Sequence, residues 1–381
     1  MKKVLLRAPL LTSSGYGVHS RQVFEALLER EDIDLYVRPT EWGSSSWDIS
    51  NPLVDKIKEF CIKNHWGVFD ESYQVCMPNE FEKLGKTNIG VTAGFESNFV
   101  KKSWLEKFEM MDTIVVPSEF TKAAIANTFI KTNGNIPVNI KVINEWYLNS
   151  FDEINFKGHF LNLNFKKNML IFGQLTSADS FLDRKNILKT IKCCLDFCID
   201  NKEVGLILKT NLGNNSSKNR ENLFLFLREN FSEKELKKIA VISSDIPESV
   251  LVRLFNDEKV SCLVSGTRGE GWGLPILYSA AAGLPIIATD YSSYKEFLDE
   301  DFLKVDYDLI SIDKKSIFTD DFNDFLWAEF NSNSMFNCIE NFFNKETKYI
   351  DISERRKKII KQKFCKNKII KNYKDLFENL N

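Results

Sequence analysis

The sequence has little histidine and no close cysteine pair. Only 3 His occur in 381 residues, and the eight Cys, at 61, 76, 193, 194, 198, 262, 338 and 365, form no Cys-x-x-Cys motif. A structural zinc site is therefore not expected, and thiols in apolar periodic stretches read as reduced and buried. No run of about 18 apolar residues occurs, which argues against a membrane-spanning helix. Met1-Lys2-Lys3-Val4-Leu5-Leu6 starts basic and then apolar, but Arg7 and Pro9 cut the run short. It reads as a first β-strand rather than a signal peptide, and a cytoplasmic location is the expectation. Charge of one sign is missing too. The 51 Lys+Arg nearly cancel 53 Asp+Glu, a net charge of -2, so the whole chain advertises no polyanionic partner. Repeats of solenoid length are absent.

What remains is ordinary globular material, 43% hydrophobic and 27% charged, at a length suited to two domains. Val4–Ala8 reads as a strand, followed by the Gly15–Gly17 loop and a helix from about His19 to Arg30. Asn88–Thr92 and Thr113–Val116 read as strands, and Ser118–Phe129 as a helix capped by Ser118. Residues 150–167 break the pattern and suggest a boundary. A second series follows, with strands at 168–173, 204–209, 240–243, 260–264 and 285–289. Helices alternate with them at 185–199, 222–230, 248–256 and 274–282. Such alternation predicts α/β architecture with a doubly wound parallel sheet in each half, and ligands at the carboxyl ends of the strands. From Glu354 to Lys374, ten Lys or Arg accompany one Glu. The plainer reading is a terminal helix with its apolar stripe packed inward and a solvated basic face; the alternative is a nucleic-acid or membrane helix.

The strongest local signal is Ser265-Gly266-Thr267-Arg268-Gly269-Glu270-Gly271-Trp272-Gly273-Leu274-Pro275. It lies between an apolar strand and a helix pattern. Glycines let backbone amides approach a ligand, Pro275 suits the first helical turn, and a helix N-terminus offers unpaired N–H groups to phosphate. Glu270 adds a carboxylate able to hold sugar hydroxyls. A bare glycine count fits a simple turn equally well; the strand–loop–helix setting favours a site.

The stretch GEGWGLPILYSAAAGLPIIATD, Gly269 to Asp290, resembles the donor-binding segment of family 4 glycosyltransferases with the GT-B fold. Val116-Pro117-Ser118-Glu119-Phe120-Thr121, Gly173-Gln174 with Asp183-Arg184-Lys185-Asn186, and Leu208-Lys209-Thr210 resemble further family segments in the same order. The resemblance implies two Rossmann-like domains, an acceptor domain at 1–155 and a nucleotide-sugar domain at 165–350, with 351–381 crossing back onto the first. It implies sugar transfer, with retention of configuration, from a nucleoside-diphosphate sugar (UDP- or GDP-linked) to a hydroxyl on a glycan, lipid-linked glycan, protein or DNA base. That donor is a co-substrate; no resident cofactor or catalytic metal is implied.

Position by position, the resemblance makes Glu270 the carboxylate for the donor sugar and Lys185 the cation for its diphosphate. Gly271, Trp272, Gly273 and Leu274 continue the donor loop, Lys209 stands at a neighbouring strand end, and Gly15 and Gly17 lie against the diphosphate. Two positions depart from the family. The second Glu of its E-x₇-E motif is Tyr278 here, and its diphosphate Arg is Gln174. Arg184 and Arg268 are both candidates to replace that Arg. Glu96, in Thr92-Ala93-Gly94-Phe95-Glu96, resembles a Glu of some members that orients hydroxyls, although a surface carboxylate fits as well. His19 reads as structural, and His65 and His159 as incidental.

Three other functions compete. Tyr278 and Gln174 would suit a non-catalytic nucleotide-sugar binder or partner subunit of this fold. The basic tail would suit a glycosyltransferase acting on a modified DNA base. Paired carboxylates Glu96 and Glu270 would suit a glycoside hydrolase, which ranks low because it leaves the phosphate-binding elements unexplained.

Overall fold

The computed structural model describes residues 1–379 apart from 49–50, 66, 155, 157, 160, 175–180, 213–215 and 313–323. The chain divides into two units. Unit 1 comprises Met1–Trp146, Asp320–Phe325 and Phe364–Asn381, and unit 2 comprises Tyr147–Thr319 and Leu326–Lys363.

Unit 1 holds a parallel six-stranded sheet of β1 (Lys2–Ala8), β2 (Ile33–Pro39), β3 (Phe69–Val75), β4 (Gly85–Val91), β5 (Thr113–Val116) and β6 (Ile140–Val142). Their order is β2-β1-β3-β4-β5-β6, so the winding reverses between β1 and β3. β5 is buried at all four residues, as a strand covered on both faces must be. β3 is unusual, because a central strand reads Phe-Asp-Glu-Ser-Tyr-Gln-Val. Its polar groups are satisfied inside the sheet. Glu71 accepts from Arg30 and Lys2, and Ser72 donates to Asn88 at 2.8 Å. Ser14 caps the helix Gly15–Leu28 by accepting from Gly17 N–H at 3.0 Å. Gly17 has no room for a side chain, since a Cβ there would lie 2.1 Å from the Thr12 carbonyl oxygen. Ser118 caps Glu119–Asn133 in the same way, and Gly134, at φ 77°, ends it.

The basic C-terminal stretch forms two helices, Glu346–Lys363 in unit 2 and Lys366–Glu378 in unit 1. The change of unit falls at Phe364, and the first division at Trp146/Tyr147. The break at Phe364–Cys365 splits what the charge pattern presents as one segment. Ile369, Ile370, Tyr373, Leu376 and Phe377 are buried, while Lys366 pairs with Glu25 of the Gly15–Leu28 helix and Lys374 with Glu29, its C-cap residue.

Beneath this helix His19 and Glu145 are both buried, 4.0 Å apart. Burial lowers His19 to about 4 and raises Glu145 to about 8, so each moves toward its neutral form. Stability from a neutral Glu145 is full below its ordinary range and is lost as pH rises toward 8. Stability from neutral His19 is lost in the opposite direction, as pH falls toward 4. Glu145→Gln, which stays neutral, is expected to melt above wild type at pH 8 and close to it at pH 5. Parallel thermal melts check this, and coincident curves at both pH values would contradict it.

Unit 2 holds β7 (Lys167–Phe172), β8 (Val204–Lys209), β9 (Ile239–Ile242), β10 (Val260–Ser265), β11 (Ile286–Thr289) and β12 (Leu303–Val305), all parallel. Their order is β12-β11-β10-β7-β8-β9, a doubly wound order whose reversal falls between β7 and β10. An antiparallel ribbon of β13 (Tyr307–Ser311) and β14 (Leu326–Phe330) follows. The core gathers Met169, Ile191, Leu206, Cys262, Ile287 and Phe342 with Cys194 and Cys198. All eight cysteines are free thiols.

Arg356, 2% exposed, fastens the Glu346–Lys363 helix to unit 2 by donating to the carbonyls of Asp301 and, at 2.7 Å, Leu284. Arg356→Met keeps the volume but strips both carbonyls of their donor. A loss of about 2–3 kcal/mol is expected, read as a lowered denaturation midpoint. An unchanged midpoint would show that Arg356 is a passenger.

Candidate functional site

The candidate site lies in unit 2, where β7 and β10 part. After Ser265 the chain turns through Gly266–Gly273 into the helix Leu274–Ala282. Gly273 occupies the N-cap at φ 91°, a conformation that disfavours side chains, and a proline stands in the first turn. On the other side β7 ends at Phe172, Gln174 is exposed beyond it, and the turn Phe181–Lys185 leads to the helix Ile187–Asp200.

Three of the candidates meet here. Glu270 is 6% exposed, and its Oε1 accepts from Lys185 Nζ at 2.5 Å and from Thr267 Oγ1 at 3.0 Å. Its Oε2 accepts from Arg184 Nη1 at 3.0 Å, and its backbone N–H donates to Ser292 Oγ at 3.0 Å. Burial alone would raise this carboxyl, but Lys185 and Arg184 outweigh burial and hold it at about 2. Glu270 is therefore an anion at any physiological pH. Among the described residues, two side-chain donors reach Oε1 and one reaches Oε2.

Arg268 goes elsewhere. Its Nη1 donates to Asp183 Oδ2 at 2.9 Å and to the Asp183 carbonyl at 2.7 Å, and its Nε donates to Glu329 Oε2 at 2.7 Å. Glu329 also accepts from Lys189 at 2.6 Å. These bonds tie the 181–185 turn and β14 together, so Arg268 braces the turn that carries Arg184 and Lys185. Arg184 also donates to the Gly269 carbonyl at 2.5 Å. Of the two arginines left open by the sequence, Arg184 stands at Glu270.

The remaining unit 2 candidates are spread around this centre. Gly271 and Trp272 are buried; Trp272 is 4.9 Å from the Phe297 ring. Leu274 begins the helix, half-buried. Lys209, at the end of β8, is buried; its ammonium donates to the Thr210 carbonyl at 2.8 Å, and burial lowers its pKa. Tyr278 packs among Phe151 and Phe255, with ring centres 5.8 and 6.2 Å away. The aromatic environment explains why a phenol rather than a carboxylate fits that position.

Gly15, Gly17 and Glu96 belong to unit 1. Gly15 and Gly17 start the first helix, directly after β1. Glu96, half-buried with φ 54°, follows β4. Asp320-Asp321 to Asp324, an acidic run that reads from the sequence as a solvated loop rather than a metal site, is described only at Asp324, which pairs with Lys131; Asp320 and Asp321 lie outside the described residues.

Sequence reasoning missed Thr267, Ser292, Asp183 and Glu329. Thr267 and Asp183 sit within quoted motifs, so spacing alone could have nominated them. Glu329 stands on a ribbon strand 61 residues beyond Arg268, a pairing visible only in three dimensions.

No protein-family model matches the chain, and no curated protein is significantly similar to it in sequence. Solved structures are similar over the whole chain. A sucrose-phosphate synthase from Thermosynechococcus elongatus has a TM-score of 0.65 at 12% identity, covering 100% of this chain and 99% of that one. HepE from Anabaena, in complex with UDP and glucose, has a TM-score of 0.61 at 13% identity, covering 99% and 100%. A trehalose 6-phosphate synthase from Burkholderia multivorans has a TM-score of 0.64 at 7% identity, covering 100% and 96%. Two parallel six-stranded units with these neighbours give the chain the GT-B fold.

Proposed function

We propose that this chain is a glycosyltransferase that moves a sugar, a hexose by preference, from a UDP- or GDP-sugar to an acceptor hydroxyl. The observation that carries this reading is the buried Glu270 with Lys185 and Arg184 at the winding reversal of unit 2. A nucleoside-diphosphate sugar has an anionic diphosphate next to a ring of hydroxyls. The cluster supplies a matching pair of cations beside a carboxylate. The N-terminus of Leu274–Ala282 adds the positive end of a helix dipole for anionic oxygens.

As the bond from sugar to diphosphate breaks, negative charge grows on the leaving oxygen. Lys185 and Arg184 stabilise it without a resident metal, and the Glu270 carboxylate orients a sugar hydroxyl. The departing phosphate takes the acceptor proton on the same face, which gives retention. Unit 1 holds the acceptor, with Gly15, Gly17 and Glu96 nearby. Eight free thiols suit a reducing compartment, and we place the enzyme in the cytoplasm.

The test is turnover. The purified chain, offered UDP- and GDP-hexoses with a panel of acceptors, is expected to release nucleoside diphosphate and form a glycoside. Donor binding without turnover on any acceptor would instead favour the non-catalytic binder. The DNA-base reading loses support from the tail, because Lys366 and Lys374 are paired within unit 1. Among the described residues no helix is long and apolar enough to cross a membrane.

A further inference from the structure

We infer that Ser292 is a positioning residue of the donor site, whose hydroxyl keeps Glu270 in place when a sugar nucleotide draws the neighbouring cations away from the carboxylate. The inference rests on the glycosyltransferase reading and adds a residue to that site.

Ser292 lies in the turn Asp290-Tyr291-Ser292-Ser293 that leaves β11, 22 residues beyond Glu270. It is buried, and its Oγ accepts from the Glu270 N–H at 3.0 Å. Its backbone stands at φ 79°, a left-handed conformation that a serine adopts only under constraint. Such strain persists where the surroundings over-determine it, and here they do. Asp290 N–H donates to the Val305 carbonyl of β12 at 3.0 Å, Tyr291 N–H to Thr289 at 2.7 Å, and Glu296 N–H to Ser293 at 3.0 Å. The Tyr294 hydroxyl also donates to the Thr289 carbonyl, at 2.6 Å. Tyr294, fully buried, backs the far end of the donor loop, since a Cβ at Gly273 would lie 3.5 Å from its ring. The turn therefore meets both ends of Glu270–Gly273. Glycine would suit that φ without strain but carries no hydroxyl. What serine adds at this position is an acceptor for Glu270.

The bond matters most once substrate arrives. Lys185 and Arg184 hold the Glu270 carboxylate, and both are the cations that the diphosphate recruits. A diphosphate thus competes with the carboxylate for each of them. The bond to Ser292 uses neither cation, so it remains when they turn to the ligand. It then fixes the backbone that carries the carboxylate, while Thr267 holds the carboxylate itself. A sugar hydroxyl oriented by Glu270 depends on that placement, because a shift of about 1 Å at such a group costs on the order of 100-fold in rate.

Ser292→Ala and Ser292→Gly, made in the full chain, test this. Both remove the hydroxyl, but alanine keeps a Cβ in the left-handed conformation and glycine does not. Ser292→Gly is therefore expected to melt above Ser292→Ala. Transfer should nevertheless fall alike in the two, by about 10- to 100-fold in kcat, with donor KM and UDP or GDP affinity within about threefold of wild type. Hydrogen exchange of the 266–273 segment, read by mass spectrometry, should be faster in both variants than in wild type, and the gap should widen when UDP or GDP is added. An unchanged kcat in both variants, or a kcat that recovers with the melting temperature from alanine to glycine, would overturn the inference. So would an exchange gap that is absent or closes on adding nucleotide. Loss of nucleotide affinity with the hydroxyl would also overturn it, by showing that Ser292 touches the donor directly. A wild type that turns over no donor, with the exchange gap intact, would count against the transferase reading and leave the hold of Ser292 on Glu270 standing.

Discussion

Glu270→Gln is expected to lose sugar transfer by about 100- to 1,000-fold in kcat while still binding nucleoside diphosphate. The two readouts separate because the carboxylate has two tasks. In the proposed reaction it orients a sugar hydroxyl, and it holds Lys185 and Arg184 beside it at 2.5 and 3.0 Å. The amide keeps the shape but removes the charge, so the sugar loses a charge-assisted bond in the transition state. The cations lose their internal counter-ion and meet the diphosphate with less competition, so UDP or GDP affinity should hold or rise within about threefold. The folded carboxyl at about 2 lies below its ordinary value, so it stabilises the fold above the ordinary range and loses that contribution as pH falls toward 2. The variant should therefore melt lower at neutral pH, with the melting point restored in part by nucleotide. Transfer rate, calorimetry and melting on one preparation check all three. An unchanged kcat would remove Glu270 from the mechanism.

Tyr278→Glu, the change that would complete the family's E-x₇-E spacing, is expected to damage the protein rather than improve it. Tyr278 is 4% exposed and lies between the rings of Phe151 and Phe255. A carboxylate placed there loses its hydration among those rings, and a protonated one leaves a gap where the phenol ring was. The cost should be about 3 kcal/mol or more, a fall in melting temperature of roughly 6–12 °C for a unit of this size. Nucleotide affinity should not increase. A stable Tyr278→Glu protein with tighter UDP or GDP binding would mean that position 278 faces the ribose after all, and that its present packing is only one of its arrangements.

The sequence was most informative where burial is two-sided. β8 and β10 read directly as apolar runs, and the helix starts at Ser118 and Leu274 announced themselves through a cap residue and a proline. It was blind to β3, because Glu71, Ser72 and Gln74 look like surface residues until Arg30, Lys2 and Asn88 are brought to them. β2 alternates buried and half-exposed positions at the sheet edge, a weaker signal over seven residues. In the site, Glu270 and Lys185 were legible from spacing and resemblance. The choice between Arg184 and Arg268 was not, since both are cations one residue from a named motif position. Asp183 and Glu329 settle their geometry by taking Arg268, and Glu329 arrives on β14 from far along the chain. The tail's ten basic residues suggested a single segment, but the break after Lys363 depends on how the two helices pack in separate units.

The central claim is that Lys185, beside Arg184 and Glu270, receives the diphosphate of a sugar nucleotide. Calorimetric titration of UDP- and GDP-sugars into the wild type and Lys185→Ala tests it most directly. At least one donor should bind the wild type, and Lys185→Ala should weaken it by about 10- to 100-fold, the size expected for losing one charge-assisted contact, in a protein that still unfolds cooperatively but melts lower because Glu270 loses its nearest cation. Equal affinity in the two proteins, or no binding of any donor to the wild type, would contradict the account.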